Sequence, residues 1–363
     1  YRKEVFYMSD SLTNALMTVE KAQSIIRKHG GFVVCIEGGD GCGKQTQAQK
    51  VVEELNTSKF SPKYTQLGFS HEFKQADDGE KTKTVYLPRR EAMYVEFPRY
   101  HKDSSYFIRK YLKGDYAKSD LSFEKVCDFY ALDRYDAWIG DNLREEYLLG
   151  APLVFDRYCY SNIVYQSAKK LLENYPDIYT NFRCDNITTA MKEDIYSIAD
   201  YVVKTEINSN ACFPVPNIVI YLVFNDDTNR EKLINERAKN DPSRKLDINE
   251  EDDTLMWLVN DYGAKILKIA AAHIRSMPNG KFPDIIEIPC DVRAGGSDQE
   301  CSAEWYETRS IEDIHNHIMS AISYAYGRWD AELASKLIQE SWTTTAQKFY
   351  NDMSDWMKST VIE

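Results

Sequence analysis

The chain lacks the features that would mark a membrane, zinc-binding or nucleic-acid-binding protein. Its 363 residues contain no apolar run long enough to span a bilayer. The eight cysteines form no C-x-x-C pair and no His/Cys spacing typical of zinc, so a structural zinc site is not expected. The net charge of −12 argues against binding to nucleic acid or to an anionic membrane. Any phosphate site must therefore be a local basic pocket in an acidic protein.

The N-terminus also lacks an apolar signal core, and the cysteine usage suits a reducing compartment, so we expect a cytoplasmic protein. Because Tyr1 is not an initiator residue, a leader could have been removed. A hydrophobic content of 43% and a charged content of 28% are ordinary for a soluble globular protein. The length allows two domains, or one α/β core with insertions.

What the chain does contain is a glycine-rich turn between a buried-strand pattern at residues 32–36 and a helix pattern at 47–55. In such a turn the backbone N–H groups point inward, the helix N-terminus favours an anion, and a lysine reaches the terminal phosphates. The pattern G-x-x-x-x-G-K-[ST] is matched except at its last position, where Gln45 stands and the hydroxyl comes one residue later. The predicted ATP-binding residues are Gly38, Gly39, Asp40, Gly41, Cys42, Gly43, Lys44, Gln45 and Thr46.

Strands alternate with helices along the rest of the chain, which predicts a parallel sheet covered on both faces. The five strand patterns lie at residues 32–36, 93–97, 153–155, 218–224 and 285–288. Helix patterns lie at 10–29, 104–112, 122–149 as one long helix, and 160–172, with two more helices beyond Ser310. Two stretches do not fit the alternation: a polar insertion at 57–92 that could form a hairpin, and a mixed insertion at 174–214.

Polar side chains follow several of these strands, where open parallel sheets bind their ligands. The first group is Phe97 with Arg99, and the second is Tyr130 with Arg134 on a helix. Each residue alone has an ordinary interpretation, because an arginine beside an aspartate is usually a solvated pair and a helical tyrosine is usually core. The remaining candidates are Asp156 and Arg157 at a strand end, then Asn162, Tyr165 and Gln166, and finally Arg237, Arg244 and Lys245 in a charged loop.

In this order behind a phosphate loop, the segments resemble the thymidylate (dTMP) kinases, a family of P-loop nucleoside monophosphate kinases. The resemblance covers about half of the chain, and its most specific part is Asp156-Arg157-Tyr158 followed by Tyr165-Gln166. It implies a three-layer α/β/α P-loop kinase fold with a mainly parallel five-stranded sheet. It also implies one kinase-like domain over residues 1–320 that contains both insertions and a lid at about 237–250. Residues 321–363 would form a C-terminal helical extension.

The resemblance also implies the roles of the site residues, with ATP as the phosphoryl donor. Lys44 and the loop amides would hold the donor phosphates, and Arg99 and Arg157 the acceptor phosphate. Because the loop carries no arginine, Arg244 in the lid would supply the catalytic guanidinium. Tyr130 would stack on the base and Arg134 would donate to a pyrimidine oxygen. Phe97, Asn162, Tyr165 and Gln166 would complete the substrate site, with Tyr165 filling the space of a ribose 2′-hydroxyl.

Mg²⁺ is expected as cofactor, although Gln45 lacks the hydroxyl that commonly binds it. We expect phosphates, water and a nearby carboxylate to hold the ion, with Asp40 and Asp156 as candidates. Two other functions stay open. A deoxynucleoside kinase would need a carboxylate base at the end of the second strand, where Glu96 is one residue away. A catalytically impaired nucleotide-binding regulator would be consistent with Gln45. The expected partners are small-molecule nucleotides, with no nucleic acid and no membrane, and the resemblance allows a homodimer.

Overall fold

The computed structural model describes residues 19–60, 69–73, 81–85, 89–117, 120–208, 213–226, 229–230, 247–294 and 305–360. Within them the strands are β1 (Val33–Gly38), β2 (Phe69–Phe73), β3 (Lys81–Val85), β4 (Met93–Glu96), β5 (Leu153–Asp156), β6 (Ile218–Val223), β7 (Asp284–Pro289), β8 (Asp291–Ala294) and β9 (Trp305–Thr308). The α-helices are α1 (Val19–His29), α2 (Lys44–Leu55), α3 (Tyr106–Leu112), α4 (Phe123–Tyr135), α5 (Leu143–Leu148), α6 (Cys159–Asn174), α7 (Ile178–Arg183), α8 (Thr189–Val202), α9 (Asp253–Ser276) and α10 (Ile311–Thr360).

A five-stranded sheet with the order β4-β5-β1-β6-β7 forms the centre of the molecule. Every neighbouring pair in it is parallel. All residues of β1 and β5 are buried, which is why these strands read as apolar runs rather than as alternating patterns. Strand β7 lies at the edge and exposes several of its residues. The predicted α/β fold with a parallel five-stranded sheet is confirmed.

Helices cover both faces of this sheet, which gives three layers. Along β1, Val33 and Cys35 belong to one apolar cluster, built mainly with helices α6, α8 and α9. Val34 and Ile36 belong to the other, built with α1, α2 and α10. Successive side chains of a strand point to opposite faces, so both layers are packed from one short run of sequence.

The expected single helix at 122–149 is wrong. Helix α4 continues into a π-helical turn, Asp136–Gly140, and α5 begins only after Asn142. Asn142 has a positive φ of 62°. Asparagine adopts this left-handed conformation more readily than most residues, and it ends the regular helical path. Because the sequences on both sides of the break have helical periodicity, the pattern predicts one continuous helix.

The C-terminal segment is one helix of 50 residues, not the two that the sequence suggests. Its buried side chains, from Ile314 through Trp329 to Leu337, form a continuous seam against the sheet. No proline interrupts the segment. The helix therefore crosses the expected domain boundary at 320–321 without a break.

The first insertion contains the hairpin that its composition allows, because β2 and β3 pair antiparallel. A second antiparallel pair, β8 with β9, was not predicted. The described part of the second insertion is mainly helical, and Ile195, Ile198 and Val202 of α8 are buried in the core. Among the helices of the described segments, none combines the length and apolar character needed to cross a membrane.

Candidate active site

A cavity of about 1450 Å³, called the cleft below, opens at the carboxyl ends of β1, β4 and β5. Its walls come from the glycine-rich loop, the segments after β4 and β5, helices α4 and α6, and residues 247–251. Ligands of open parallel sheets bind at this edge. The cleft therefore joins the segments that the sequence marks as functional.

The glycine-rich loop has the conformation that a phosphate cradle requires. Gly41 and Gly43 have φ values of 84° and 74°, in the left-handed region that favours glycine. Helix α2 begins at Lys44, immediately after Gly43. Asn260 of α9 holds the loop from behind, because its Oδ1 accepts a hydrogen bond from the Asp40 amide at 3.2 Å. A Cβ on Gly39 would meet the same oxygen at 2.1 Å, so a larger residue is excluded there.

Lys44 is buried at the base of the loop. Its Nζ donates to the Gly39 carbonyl at 2.5 Å and lies 3.9 Å from Oδ1 of Asp40. Burial and then the nearby positive charge of Arg157 lower the pKa of Lys44. Two cations thus lie near each other at one end of the cleft, where a polyanion would relieve both effects.

Arg157 reaches the cleft from the residue that follows β5, where it has a positive φ of 65°. Its guanidinium donates to Oδ1 of Asp40. Tyr165 donates its hydroxyl to the other oxygen of Asp40 at 3.3 Å. Burial alone would raise the pKa of Asp40, but Arg157 and Lys44 together lower it. Asp40 is therefore ionised and links the phosphate loop to the segment after β5.

Glu37 holds the segment that follows β5 in place. Its buried carboxylate accepts hydrogen bonds from the amide of Tyr158 at 2.9 Å and from the hydroxyl of Ser161 at 2.6 Å. Burial raises the pKa of Glu37, while the Ser161 hydrogen bond and the charge of Arg157 partly offset that effect. Since Tyr158 and Ser161 flank the start of α6, this one side chain sets the direction in which Arg157 leaves the sheet.

Arg99, which the sequence leads us to expect at the acceptor phosphate, is not among the described residues that line the cleft. Its guanidinium is buried and donates to Asp133 at 3.2 Å, to Asp136 at 2.7 Å and to Asp141 at 2.5 Å. It also donates to Ser104 Oγ at 3.0 Å and to the Asp133 carbonyl at 2.7 Å. Three carboxylates attract the guanidinium away from the cleft. In this arrangement Arg99 is not available to an acceptor phosphate.

The residues expected to bind a nucleoside also line the cleft: Phe97, Tyr130, Arg134, Asn162, Tyr165 and Gln166. Arg134 lies with its guanidinium carbon 5.9 Å from the centre of the Phe97 ring. Its Nη2 donates to Oε1 of Glu206 at 2.7 Å, and its Nε donates to Oε2 of the same residue. The structure thus brings all six residues to one cavity.

Asn162 is buried, and its Nδ2 has no hydrogen-bond partner among the residues that the structure describes. A buried amide donor without an acceptor is costly, so native structures rarely leave one. Because Asn162 lines the cleft, a base carbonyl bound there could accept this hydrogen bond.

The two candidate metal ligands differ in availability. Asp40 is already paired with Arg157. Asp156 accepts a hydrogen bond from the Tyr94 hydroxyl at 3.3 Å, and Glu96 lies 3.4 Å from the same hydroxyl. Within the described residues Asp156 has no ion-pair partner, and no cluster of three metal-binding side chains is found. This oxygen-only set fits Mg²⁺, which binds one or two carboxylates and otherwise keeps water and phosphate ligands.

Sequence reasoning gave no role to three residues that line the cleft, Tyr100, Arg109 and Lys113, and it considered Glu96 only as the base of a deoxynucleoside kinase. Arg109 and Lys113 are four residues apart at the end of α3, a spacing that places both on one side of a helix. That spacing, so soon after Phe97, is the signal that could have identified them. Glu206 gave no signal, because its partner Arg134 is 72 residues away.

Arg237, Arg244 and Lys245 lie outside the described residues. The chain is described again from Asp247, and residues 247–251 line the cleft. The amide of Ile248 donates to the Leu112 carbonyl at 3.0 Å, and Lys169 donates to Oδ1 of Asn249 at 2.7 Å. The C-terminal end of the expected lid is thus anchored beside the cleft.

No family model matches the chain. A thymidylate kinase of Caenorhabditis elegans is 25% identical to it over 145 residues, which are 40% of this chain and 55% of that protein. Protein 251L of Invertebrate iridescent virus 6, whose name assigns it provisionally as a thymidylate kinase, is 28% identical over 141 residues, or 39% of this chain and 50% of that protein. The chain spans about half the length of the curated relatives it matches.

Two solved structures align with most of the chain. A thymidylate kinase from Candida albicans has a TM-score of 0.44 and 14% identity, covering 83% of this chain and 94% of that one. A thymidylate kinase from Ehrlichia chaffeensis has a TM-score of 0.35 and 14% identity, covering 81% and 99%. The fold assignment rests on the sheet order and on the helices that cover both faces of the sheet, as described above. In sequence, the chain is similar to thymidylate kinases over about two fifths of its length, and the resemblance that its motifs indicate is confirmed.

Proposed function

We propose that this protein transfers the γ-phosphate of ATP to dTMP and so forms dTDP. One observation carries the proposal: a single cleft is lined by a phosphate loop with the buried Lys44 and the partly exposed Arg157, and by aromatic and hydrogen-bonding side chains. The cations suit phosphates, and the aromatic and hydrogen-bonding side chains suit a planar base. The similarity to thymidylate kinases supports the same conclusion.

At the phosphate end, the loop amides and Lys44 would hold the β- and γ-phosphates of ATP. Arg157, on the other side of Asp40, would hold the acceptor phosphate in line with the transferring group. Phosphoryl transfer depends on such positioning and on neutralising charge, with little covalent chemistry from the protein. Tyr100 and Arg109 also line the cleft, and Arg109 donates to the Tyr100 carbonyl at 2.7 Å; we assign both residues to the acceptor phosphate in place of Arg99.

Asp156, with Glu96 beside it, would hold Mg²⁺ together with phosphate oxygens and water. When bound, the ion neutralises charge on the β- and γ-phosphates. Gln45 lines the cleft without offering a hydroxyl, so this carboxylate pair would take over that contribution. Asp40 would serve mainly to hold Arg157 in place.

At the base end, Tyr130 would stack on the pyrimidine, Arg134 would donate to one carbonyl, and Asn162 would use its unpartnered Nδ2 for another acceptor. Tyr165 lies beside the Asp40–Arg157 pair: its hydroxyl donates to Asp40, and the Arg157 guanidinium is 6.0 Å from its ring centre. A ribose 2′-hydroxyl would compete with this ring for space, which favours a deoxynucleotide. The lid would bring Arg244 over the γ-phosphate.

A second function, deoxynucleoside kinase, is favoured by two observations. Arg99, the expected partner of an acceptor phosphate, is enclosed by carboxylates outside the cleft. Glu96 lines the cleft at the end of β4, where a nucleoside kinase would keep its catalytic base. We retain dTMP as the acceptor because Arg157 and Lys44 leave positive charge at the acceptor position, which a neutral hydroxyl does not require.

Steady-state phosphorylation of dTMP, dUMP, dCMP and dGMP with ATP and Mg²⁺ tests the proposal. We expect the highest kcat/KM for dTMP and a clear dependence on Mg²⁺. Turnover of none of the four, with ATP still bound, would indicate a regulator and would overturn the proposal.

The proposal includes a cytoplasmic location, which the free cysteines Cys35, Cys42, Cys127, Cys159, Cys184 and Cys290 support. It also includes a homodimer. Leu132, Tyr135 and Ile139 are exposed along one side of α4 and the turn that follows it, and they offer an apolar contact surface. Sedimentation of the wild type and of Leu132→Lys would test this assembly, since the charged variant should be monomeric.

A further inference from the structure

Glu206 connects the second insertion to the base end of the cleft. It lies in the π-helical turn Val203–Ile207, which follows α8. Its carboxylate is buried and holds Arg134 of α4 with both oxygens. The resemblance to thymidylate kinases does not account for residues 174–214, so this contact gives the insertion a place in the site.

The contact fixes the guanidinium in one orientation. Nε and Nη2 of Arg134 face Glu206, and no described residue accepts a hydrogen bond from Nη1. The guanidinium also packs against the Phe97 ring and lines the cleft. A planar group held at one edge and on one face has little freedom to rotate. Nη1 is therefore the donor left for a ligand.

Stability alone does not explain this pair. Both side chains are almost fully buried, at 2% and 1% exposure. Taking two charges out of water is costly, and apolar residues of similar size often stabilise a core as well. Burial would lower the pKa of Arg134, but the charge of Glu206 and its hydrogen bond, with smaller contributions from Cys159 and Tyr158, together raise it. Arg134 therefore keeps its positive charge and its donors in a dry site.

We propose that Glu206 is a positioning residue for base selection: it orients Arg134 so that Nη1 donates to a keto oxygen of the pyrimidine. This inference rests on the proposed function and deepens it. Thymine and uracil present a carbonyl at the position where cytosine presents an amino group. An amino group cannot accept from Nη1, so a bound cytosine would leave two donors facing each other. The second insertion thereby forms the outer support of the base pocket.

The test compares kcat/KM for dTMP, dUMP and dCMP in the wild type and in two variants. In Glu206→Gln the carboxamide keeps one acceptor and turns an N–H towards Arg134. In Glu206→Asp the charge stays but the carboxylate withdraws by one methylene, which keeps the test informative if the glutamine variant fails to fold. We expect the wild type to prefer dTMP over dCMP by about 10²-fold or more. Either variant should narrow that ratio by about tenfold, mainly by raising KM for dTMP.

Two controls separate positioning from loss of structure. The ratio of dTMP to dUMP depends on the methyl group and should not change, because both bases carry the keto oxygen. Tyr201→Phe removes the hydrogen bond from Tyr201 to Asp128, 2.6 Å long, which ties α8 to α4 without touching Arg134. This variant should lower the melting temperature and leave the dTMP to dCMP ratio unchanged.

The outcomes are distinct. A wild type that prefers dTMP, together with Glu206 variants that keep the full preference, overturns the role of Glu206 and leaves the proposed function intact. An equal loss of preference in Tyr201→Phe would show a general structural effect and would also overturn it. A wild type that does not distinguish dTMP from dCMP overturns the base assignment and this inference together.

Discussion

Arg99 and Arg157 follow neighbouring strands of one sheet, yet the two side chains differ in exposure and in the number of carboxylates that they contact. The Arg157 side chain is 21% exposed and pairs with one carboxylate, Asp40, close to the charge of Lys44. The Arg99 side chain is 5% exposed and pairs with three carboxylates, one of which Lys102 also contacts. Arg157 thus makes one ion pair and lines the cleft, whereas Arg99 makes three ion pairs and does not line it.

This difference decides which arginine can bind a phosphate. A guanidinium can bind a phosphate where it faces the ligand and is not already held by several carboxylates. Arg157 pairs with one carboxylate and lines the cleft with Lys44, although Glu37 and Asp156 also act on its charge. Arg99, in contrast, is held by three carboxylates outside the cleft. An arginine after a strand is therefore a ligand for phosphate only if its own neighbours leave it available. The Arg99 network instead anchors the segment after β4, which carries Tyr100 into the cleft.

The largest effect is expected at Lys44, the cation shared by both phosphate sites. Lys44→Met removes the charge and keeps a side chain of similar length, so kcat should fall by about 10³-fold. Single-turnover measurements with saturating ATP and dTMP would give this value. Wild-type turnover by the variant would remove the loop from the mechanism.

Arg244 adds a third arginine to the comparison. If it contacts the γ-phosphate only in the transition state, Arg244→Ala should lower kcat and kcat/KM together by about 10²-fold. Lys245→Ala is the matched control and should retain most of the activity. A rise in KM for ATP without a change in kcat would make Arg244 a ground-state binding residue.

Arg157→Gln should lower kcat/KM for dTMP by about 10²-fold, because the acceptor phosphate loses its bidentate partner. The melting temperature should change little, since the side chain is partly exposed. Equal kcat/KM in Arg157→Gln and the wild type would contradict the contrast between the two arginines.

Arg99→Gln should show the reverse pattern. It leaves Asp133, which is fully buried, without its counter-charge, so we expect a loss of about 3 kcal/mol in the free energy of unfolding. At a temperature where the variant is folded, its kcat/KM should stay within about tenfold of the wild type. Urea unfolding and steady-state kinetics on the same preparation check both values. A larger loss of activity than in Arg157→Gln would show that Arg99 leaves its carboxylates when dTMP binds.

The smallest effect concerns the sugar. The wild type should prefer dTMP over its ribo analogue by about tenfold in kcat/KM, because excluding the 2′-hydroxyl costs on the order of 1–3 kcal/mol. Tyr165→Ala should narrow this gap, while Asn162→Ala should weaken dTMP and keep the gap. Equal use of both sugars by the wild type would remove Tyr165 from this role.

Local sequence was enough to predict the features whose causes are local. The glycine-rich loop was predicted because Gly41, Gly43 and Lys44 are adjacent in sequence and their conformations follow from residue type. The parallel sheet was predicted because strands buried on both faces are continuous apolar runs. Asn162 and Tyr165 reach the cleft together because they lie one turn apart on α6.

Features set by distant partners could not be predicted. The carboxylates that surround Arg99 come from 34 to 42 residues further along the chain, so the residues next to Arg99 in sequence do not predict these contacts. The same holds for Glu206 and Arg134. The break after α4 depends on the backbone of Asn142, and the single helix α10 depends on a seam against the sheet that periodicity alone does not distinguish from two shorter helices.

The most direct test offers the protein equimolar dTMP and thymidine with ATP and Mg²⁺ and separates the products by chromatography. Because Arg157 and Lys44 both line the cleft, we predict that dTDP accumulates and that thymidine is left unchanged. If dTMP were instead formed from thymidine, the acceptor would be a hydroxyl. Glu96 would then be the catalytic base, and the proposed function would be contradicted.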